Sequence, residues 1–502
     1  MSNALSPIKH IVVLMLENRS FDNVLGKTFE PEVKRVNRFY PSSKLDFTVP
    51  IQAFNIPGRN FLSASVPTPD PGEYFQYMNQ QIFGLRDPLP VNSETPTECG
   101  PLGPMGGFVQ NYQQALGDHD YPKVMLPTIM NMYSKEQFPV STALGEAFAV
   151  LDTYHASAPC QTMPNRCFAT MGTAQGYVNN NTYTDSYANG KSNALYFGPT
   201  IFNHIDDAED ADWRVYFGDF PLTLTMFDTW SGLGLDKFHF FDQFQKDIDN
   251  NSLPAYSWIE PAYQLFPTDN HPPHDINLGE YLLEKVYNAL RGNEEIWEST
   301  LLVVTYDEHG GCYDHVLPPA AVPDGDNPQF AFDRYGVRVP TLLISPYINA
   351  GTIGTPGASA DNAPVYDHTS ILSTVRKCFD IDAPPLSERE AKANDFSAFL
   401  TLSESELNNG PASVSVGISE EELKQQAILE TLSGLGQLWW DAQHKIPTSP
   451  EAIATAVRAG KPPTLKSAPD GSKVSDAEKI ADIEASIKNL FGRVPVGLME
   501  YK

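Results

Sequence analysis

An apolar run at residues 301–305 stops at two adjacent carboxylates, and the polar stretch behind it narrows the choice of fold: Tyr306-Asp307-Glu308-His309-Gly310-Gly311-Cys312-Tyr313-Asp314-His315. A short β-branched run of this kind reads as a buried strand, and paired glycines let the chain turn sharply at its end. In open α/β sheets, ligands sit beyond the carboxyl ends of the strands. Asp307 and Glu308 therefore stand where a cation or a reacting group would be, or they form a solvated strand-end turn. The nearby histidines and third carboxylate favour the first reading. A second run, residues 10–16, repeats the pattern and ends at Glu17-Asn18-Arg19-Ser20-Phe21-Asp22. Two strands far apart in sequence with the same polar ending are expected to be neighbours in one parallel sheet whose tips build one site.

Other stretches carry chemistry. Residues 27–120 are rich in turn formers, densest at 67–72 and 87–107, and are expected to form long ordered loops that wall a binding site. In Cys160-Gln161-Thr162-Met163-Pro164-Asn165-Arg166, Thr162 sits in a turn just before a proline suited to a first helical turn. There a hydroxyl meets free backbone N–H groups and a positive dipole end, which suits a nucleophile attacking phosphorus, and an arginine could clamp phosphate oxygens. The same residue also reads as a simple N-cap. Asn270-His271-Pro272-Pro273-His274-Asp275 leads into a helix over 279–290, and its proline-held histidines read as functional. Further helices are expected over 127–148 and from Asp367 to 379, with strands at 149–154, 212–216 and 340–346. Asp118-His119-Asp120 reads as a solvated turn.

Charge limits the partners. With 62 acidic and 34 basic side chains the net charge is -28, which argues against nucleic acid and against an anionic membrane held electrostatically. A zwitterionic headgroup or a local basic pocket stays open. A chain of 502 residues can hold more than one unit. Residues 1–400 are expected to form the catalytic domain. Residues 401–502 are expected to be a helical extension that packs on it or mediates self-association. Capping boxes at Ser419/Glu422 and Ser475/Glu478 flank a proline-rich linker near 446–470. The five cysteines are odd in number and lack a C-x-x-C pair, so mostly reduced thiols are expected, although Cys160 and Cys167 could pair. No run approaches the ~18 apolar residues of a membrane span. The N-terminal residues lack a signal-peptide pattern, so the sequence as written is expected in the cytoplasm, with a signal-independent export route open.

Taken together, Glu-Asn-Arg-Ser-Phe-Asp from Glu17, Thr-Met-Pro-Asn-Arg from Thr162, His-Pro-Pro from His271 and Tyr-Asp-Glu-His-Gly-Gly-x-Tyr-Asp-His-Val from Tyr306 form a specific set. The chain resembles the bacterial phosphoesterases that include phosphatidylcholine-type phospholipases C and respiratory-burst-inhibiting acid phosphatases, of the alkaline phosphatase superfamily. The resemblance implies an α/β fold: a mostly parallel central sheet flanked by helices, with long inserted loops and a C-terminal helical extension. It implies one metal ion held by Glu17, Asn18, Asp307 and Glu308 and touched by Thr162, the nucleophile. His271 would contact phosphate or assist the leaving group. Glu73, Asn165, Arg166, His274, His309 and His315 are the candidate substrate-binding residues. The chain departs from the pattern at Asp70-Pro71-Gly72-Glu73, where many relatives have Asp-Pro-x-His. Glu73 could face a cationic group such as choline or be structural.

Oxygen donors suit Ca²⁺, Mg²⁺ or Mn²⁺ better than Zn²⁺. The expected activity is metal-dependent phosphate-ester hydrolysis through a phospho-threonine, first as a phospholipase C-like diesterase acting on a phospholipid headgroup. The alternatives are a broad acid phosphatase and a catalytically silent metal-containing binding protein. Loop aromatics (Phe61, Tyr74, Phe75, Tyr77) suit a lipid or choline headgroup, or else belong to the core. The sulfatase pattern Cys-x-Pro-x-Arg is missing, since Cys160 is followed by Gln161-Thr162-Met163-Pro164.

Overall fold

Burial of both strand runs on both faces organises the chain. In the computed structural model, His10–Leu16 (β1) and Thr300–Tyr306 (β8) are almost wholly buried, as continuous apolar runs require when helices cover both sheet faces. They lie side by side and parallel, with His10 opposite Thr300 and Leu16 opposite Tyr306. The Asp307 amide extends the ladder to the Leu16 carbonyl at 3.2 Å. The two polar endings therefore meet, as the repeated pattern predicts. The structure describes residues 4–426 and 474–492, apart from 91–92, 119–122, 181–195, 209–210, 227–228, 230–234, 265, 325–329 and 360–361.

The remaining strands in chain order are Val36–Phe39 (β2), Val49–Gln52 (β3), Ala149–Val150 (β4), Trp213–Phe217 (β5), Phe238–Phe240 (β6), Tyr256–Glu260 (β7), Leu342–Ile344 (β9) and Thr352–Ile353 (β10). Eight form one sheet in the order β10-β4-β9-β8-β1-β7-β5-β6. All its pairs are parallel except those of β9, which runs antiparallel to both β8 and β4. β2 and β3 form a separate antiparallel hairpin. Helices flank the sheet, so the architecture is the expected α/β one.

The expected helix over 127–148 is two elements. A 3-10 helix at Lys123–Met130 contains Pro127, and an α-helix runs over Pro139–Ala147. Pro139 has no N–H to continue an earlier helix and suits a first turn instead. The Glu280 carboxylate then accepts from the Val140 and Ser141 amides at 2.6 and 3.1 Å. The expected strand at 149–154 is only β4, and the one at 340–346 is cut to β9 by its flanking prolines. The helix before Asn293 begins at Ile276, capped by Asp275. The one after Asp367 spans His368–Cys378.

Beyond residue 400 the chain lies along the Ile276–Gly292 helix. The Val414 amide and carbonyl both bond to Asn288 at 2.9 Å, and the Val416 amide bonds to Glu284 at 2.6 Å. The Asp476–Phe491 helix buries Ile483 and Ile487 in the main core and sets Phe491 against Phe217. Both capping boxes form. The linker near 446–470 and the His119-Asp120 turn lie outside the described residues. Cys160 and Cys167 are buried free thiols. Among the described residues no helix is long and apolar enough to cross a membrane.

Candidate active site

The tips of β1 and β8 build the floor of the site. Asp307 Oδ1 accepts from the Asn18 amide at 3.1 Å and the Glu308 amide at 2.7 Å. Glu308 Oε2 accepts from the Gly310 amide at 2.6 Å. Asn18 has φ +53 and Gly310 φ +58. A Cβ at Gly310 would lie 2.4 Å from the Asn18 carbonyl oxygen, so the close approach of the two tips needs glycine there. The segment after β7 is tied to the same floor through the Glu17 amide, which donates to the Asp269 carbonyl at 2.7 Å.

Thr162 is the first residue of the Thr162–Met171 helix and is buried. Its hydroxyl lies 3.4 Å from Glu17 Oε2, at a helix N-terminus where free N–H groups favour anions. One turn on, Arg166 donates to the other Glu17 oxygen, Oε1, from both Nε (3.0 Å) and Nη2. Its guanidinium lies over the Tyr263 ring at 5.5 Å. Asn165 donates to the Cys160 carbonyl at 2.7 Å and accepts from the Ala158 amide at 3.1 Å. These two residues, expected near substrate, hold Glu17 and the loop before Thr162.

Three side-chain oxygens in this floor, Asn18 Oδ1, Asp307 Oδ2 and Glu308 Oε1, are buried with no hydrogen-bond partner. Burying charged or polar oxygens unpaired is costly. Burial and then the Asp307 charge push the Glu17 carboxyl well above its usual range. Burial, Glu73 and Asp307 do the same to Glu308. A hard divalent cation relieves such a set, because it takes oxygen ligands and favours their ionised forms. The donor set fits Ca²⁺, Mg²⁺ or Mn²⁺.

His271 stands beside this floor. Its Nε2 is 2.9 Å from Asn18 Nδ2, which also donates to Glu73 Oε1 at 2.5 Å. Asp70, Glu73 and His271 bring ligand atoms within 4.8 Å of one another. Burial opposes a charge on the ring, but the carboxylates of Asp70, Glu73, Asp269 and Glu17 outweigh it and raise His271 to about 10. Donation from Nδ1 to the Pro272 carbonyl at 2.6 Å favours a ring whose Nε2 accepts from Asn18. Hydrogen bonding and electrostatics thus pull this proton in opposite directions.

The other candidate histidines have different posts. His274 Nδ1 bonds to Asp269 Oδ1 at 2.6 Å, and that oxygen also takes the His271 amide at 3.0 Å. His309 is buried, with Nε2 on Gln81 Oε1 at 2.9 Å and Nδ1 3.4 Å from Glu308 Oε2. Burial lowers it to about 3, and the neutral ring spends its one N–H on Gln81 Oε1. His315 does not join the floor; its Nδ1 pairs with Asp22 Oδ2 at 2.8 Å. Tyr74 is exposed and Phe75 buried, while the Phe61 side chain lies outside the described ones.

Three neighbours do not stand out in the sequence. Asp70 opens the Asp-Pro-Gly-Glu turn, where the departure at Glu73 is the more visible feature. Asp269 lies two residues before His271, and that spacing is its only signal. His368 opens a helix and places Nε2 2.6 Å from the Asp307 carbonyl; nothing in its sequence setting ties it to β8.

The profile of the phosphoesterase family matches residues 8–382. The chain is 35% identical to non-specific phospholipase C6 of Arabidopsis thaliana over 406 residues, covering 78% of this chain and 72% of that one. It is 28% identical to phospholipase C B of Mycobacterium tuberculosis, covering 78% of each. Among solved structures, a protein in the alkaline phosphatase superfamily from Vibrio parahaemolyticus aligns with TM-score 0.30 at 10% identity, over 49% of this chain and 62% of that one.

Proposed function

The chain belongs to the phosphoesterase family, and from that membership we propose that it hydrolyses phosphoric diesters as a phospholipase C does, with Thr162 as nucleophile. The observation that carries this reading is the meeting of three unpartnered oxygens (Asn18, Asp307, Glu308) with a threonine hydroxyl at a helix start. The divalent cation that Glu17, Asn18, Asp307 and Glu308 would hold lowers the pKa of a nearby hydroxyl and neutralises phosphoryl oxygens.

The chain's own residues do the rest. Glu17 Oε2, 3.4 Å away, takes the Thr162 proton, while Arg166 fixes that carboxylate through its other oxygen. Thr162 Oγ forms a bond to phosphorus in line with the leaving oxygen, whose bond to phosphorus breaks. His271 gives the departing alkoxide its proton. The ring, now neutral, takes a proton from water, which attacks the phospho-threonine; the bond from phosphorus to Thr162 Oγ breaks, and Oγ recovers its proton from Glu17. Asp70, Glu73 and Asp269 support the charged form of His271 in the first half of this cycle.

Preference for a diester follows from the walls. Glu73 and Asp70 flank His271, and carboxylates there oppose the second negative charge of a monoester while suiting a cationic headgroup such as choline. The relatives named as phospholipases C support the same choice.

The test is ester turnover by metal-stripped protein with Ca²⁺, Mg²⁺, Mn²⁺ or Zn²⁺ restored singly, on a phosphomonoester and a phosphorylcholine diester. Activity on the diester that needs an added cation and vanishes in Thr162→Ala is the expected result. Undiminished turnover by Thr162→Ala overturns the nucleophile. A preference for the monoester makes the protein an acid phosphatase, and silence on both esters with every metal leaves a binding protein.

A further inference from the structure

The hairpin of β2 and β3 and the cavity beside it run against the character of the rest of the surface. Residues 27–54 carry five basic side chains (Lys27, Lys34, Arg35, Arg38, Lys44) and three acidic ones (Glu30, Glu32, Asp46), in a chain whose net charge is -28. Two of those carboxylates are already matched. Glu30 pairs with Arg35 and Arg338, and Asp46 lies 3.7 Å from Arg86. The same segment holds five of the eight large apolar side chains left exposed among the described residues: Val33, Val36, Leu45, Phe47 and Phe54. Phe47 is 56% exposed and Val36 44%. Single exposed apolar side chains are ordinary, but a concentration of them marks a contact surface.

The surface is built to hold its shape. Arg86 donates to the Ser43 and Leu45 carbonyls at 2.7 and 3.1 Å and lies over the Tyr40 ring at 4.2 Å, which fixes the loop that presents Leu45 and Phe47. At the hairpin's foot is a cavity of about 430 Å³, lined by Lys27, Lys34 and Arg35 together with Val33, Val36 and Phe54. Arg35 is buried and already paired with Asp22 at 2.8 Å and Glu30 at 2.7 Å, while Lys27 and Lys34 are exposed.

We propose that this hairpin and cavity form a docking surface for a membrane bearing anionic phospholipid. The apolar side chains enter the headgroup layer, and Lys27 and Lys34 meet a lipid phosphate. Exposed apolar groups interleaved with lysine and arginine are what an anionic lipid interface selects, through apolar burial added to electrostatic attraction. A nucleic acid would need the cations and gain nothing from the aliphatic side chains. The surface also connects to the catalytic floor. Gln110, on the Phe108–Asp118 helix, accepts from the Tyr40 amide at 2.8 Å, and its neighbour Asn111 accepts from Gln81, the partner of His309. The proposal rests on the phospholipase reading for its purpose, which is to bring a bilayer to the edge of that site.

The test is co-flotation of the full chain with vesicles of phosphatidylcholine alone and of phosphatidylcholine mixed with phosphatidylglycerol, beside turnover of a soluble diester. The wild type is expected to float with the mixed vesicles, and less so as salt rises. The double variant Lys34→Glu/Lys44→Glu should bind them about tenfold more weakly or worse, and Phe47→Ser a few fold more weakly. Both should turn over the soluble ester at the wild-type rate. No flotation of the wild type, or flotation of both variants like the wild type, overturns the docking surface. Flotation that behaves as expected, with no turnover of any ester, upholds the surface and sinks the phospholipase reading instead.

Discussion

Two acidic knots lie within a few residues of each other on the same two segments, and they are satisfied to different degrees. Glu17, Asn18, Asp307 and Glu308 leave three oxygens unpartnered. Four to eight residues further along the same segments, Asp22, Asp314 and His315 also bring ligand atoms within 4.8 Å of one another, yet that knot is saturated. Arg338 reaches Asp314 at 3.1 Å, Asp22 at 3.3 Å and Glu30 at 2.9 Å, and Arg35 reaches Asp22 at 2.8 Å. Burial works against ionised Asp22, but His315, Arg35 and Arg338 outweigh it and hold its carboxyl below the usual range. Clustered carboxylates alone therefore do not distinguish a site from a brace. What distinguishes them is whether every buried oxygen finds a partner within the protein.

The largest contrast should come from Thr162→Ala. We expect kcat to fall by about four orders of magnitude or more, as for other nucleophile deletions, with an unchanged melting temperature. Arg338→Met should do the reverse. It leaves Asp314, Asp22 and Glu30 short of a buried partner, and breaking such a pair costs about 3–5 kcal/mol. Denaturant unfolding would show that loss, while the folded fraction keeps its kcat. A large kcat effect in Arg338→Met would erase the distinction between the two knots.

Glu280 sits between these extremes, with hydrogen-bond donors but no salt bridge among the described residues. Burial, opposed by bonds from Ser141 and Val140, raises it to about 7 from 4.5. The folded protein then holds this proton more tightly than the unfolded chain does. Its contribution is full below pH 4.5 and is lost as pH climbs through 7, by up to about 3 kcal/mol. Unfolding free energies of Glu280→Gln and wild type across this range should diverge with that slope; parallel curves would refute it. The smallest effect expected is a rise in stability of about 2.7 kcal/mol with a divalent cation at a hundred times its dissociation constant. Thermal shifts should record it in wild type and Arg338→Met and lose it in Asp307→Asn. A shift retained in Asp307→Asn would move the cation elsewhere.

Much of the fold is legible because central parallel strands are buried on both faces and so announce themselves as unbroken apolar runs. Residues 10–16 and 301–305 do this, and their shared polar endings forecast that they are neighbours. The antiparallel course of β9 is not legible, since an apolar triplet between prolines carries no direction. Pro139 lies inside a stretch whose apolar spacing suits one long helix, and the spacing hides the fresh start that the proline makes. In the site, Glu308 and His315 lie in one short stretch and look alike in sequence. Only the arrival of Arg35, 13 residues after Asp22, and of Arg338, 24 residues from Asp314 and 316 from Asp22, separates the open knot from the saturated one, and such pairing leaves no local signature. Asn165 and Arg166 are expected at the substrate; in the structure Asn165 bonds to the Cys160 carbonyl and Arg166 to Glu17, contacts the motif does not show because it gives a neighbourhood and not which way each side chain faces.

Thr162 and Arg166 stand four residues apart on one helix and close on the two oxygens of a single carboxylate. That spacing works as a ruler. The hydroxyl is in place only when Arg166 is seated, and Arg166 is seated only when β1 has delivered Glu17 to the sheet. On the proposed mechanism a partly folded chain thus carries a threonine but no nucleophile, so the capacity to cut phosphate esters would arrive with the completed fold and be lost with it. An insertion of one residue between the two would turn the hydroxyl by about 100° around the helix axis and disarm the protein while leaving every other side chain of the site intact.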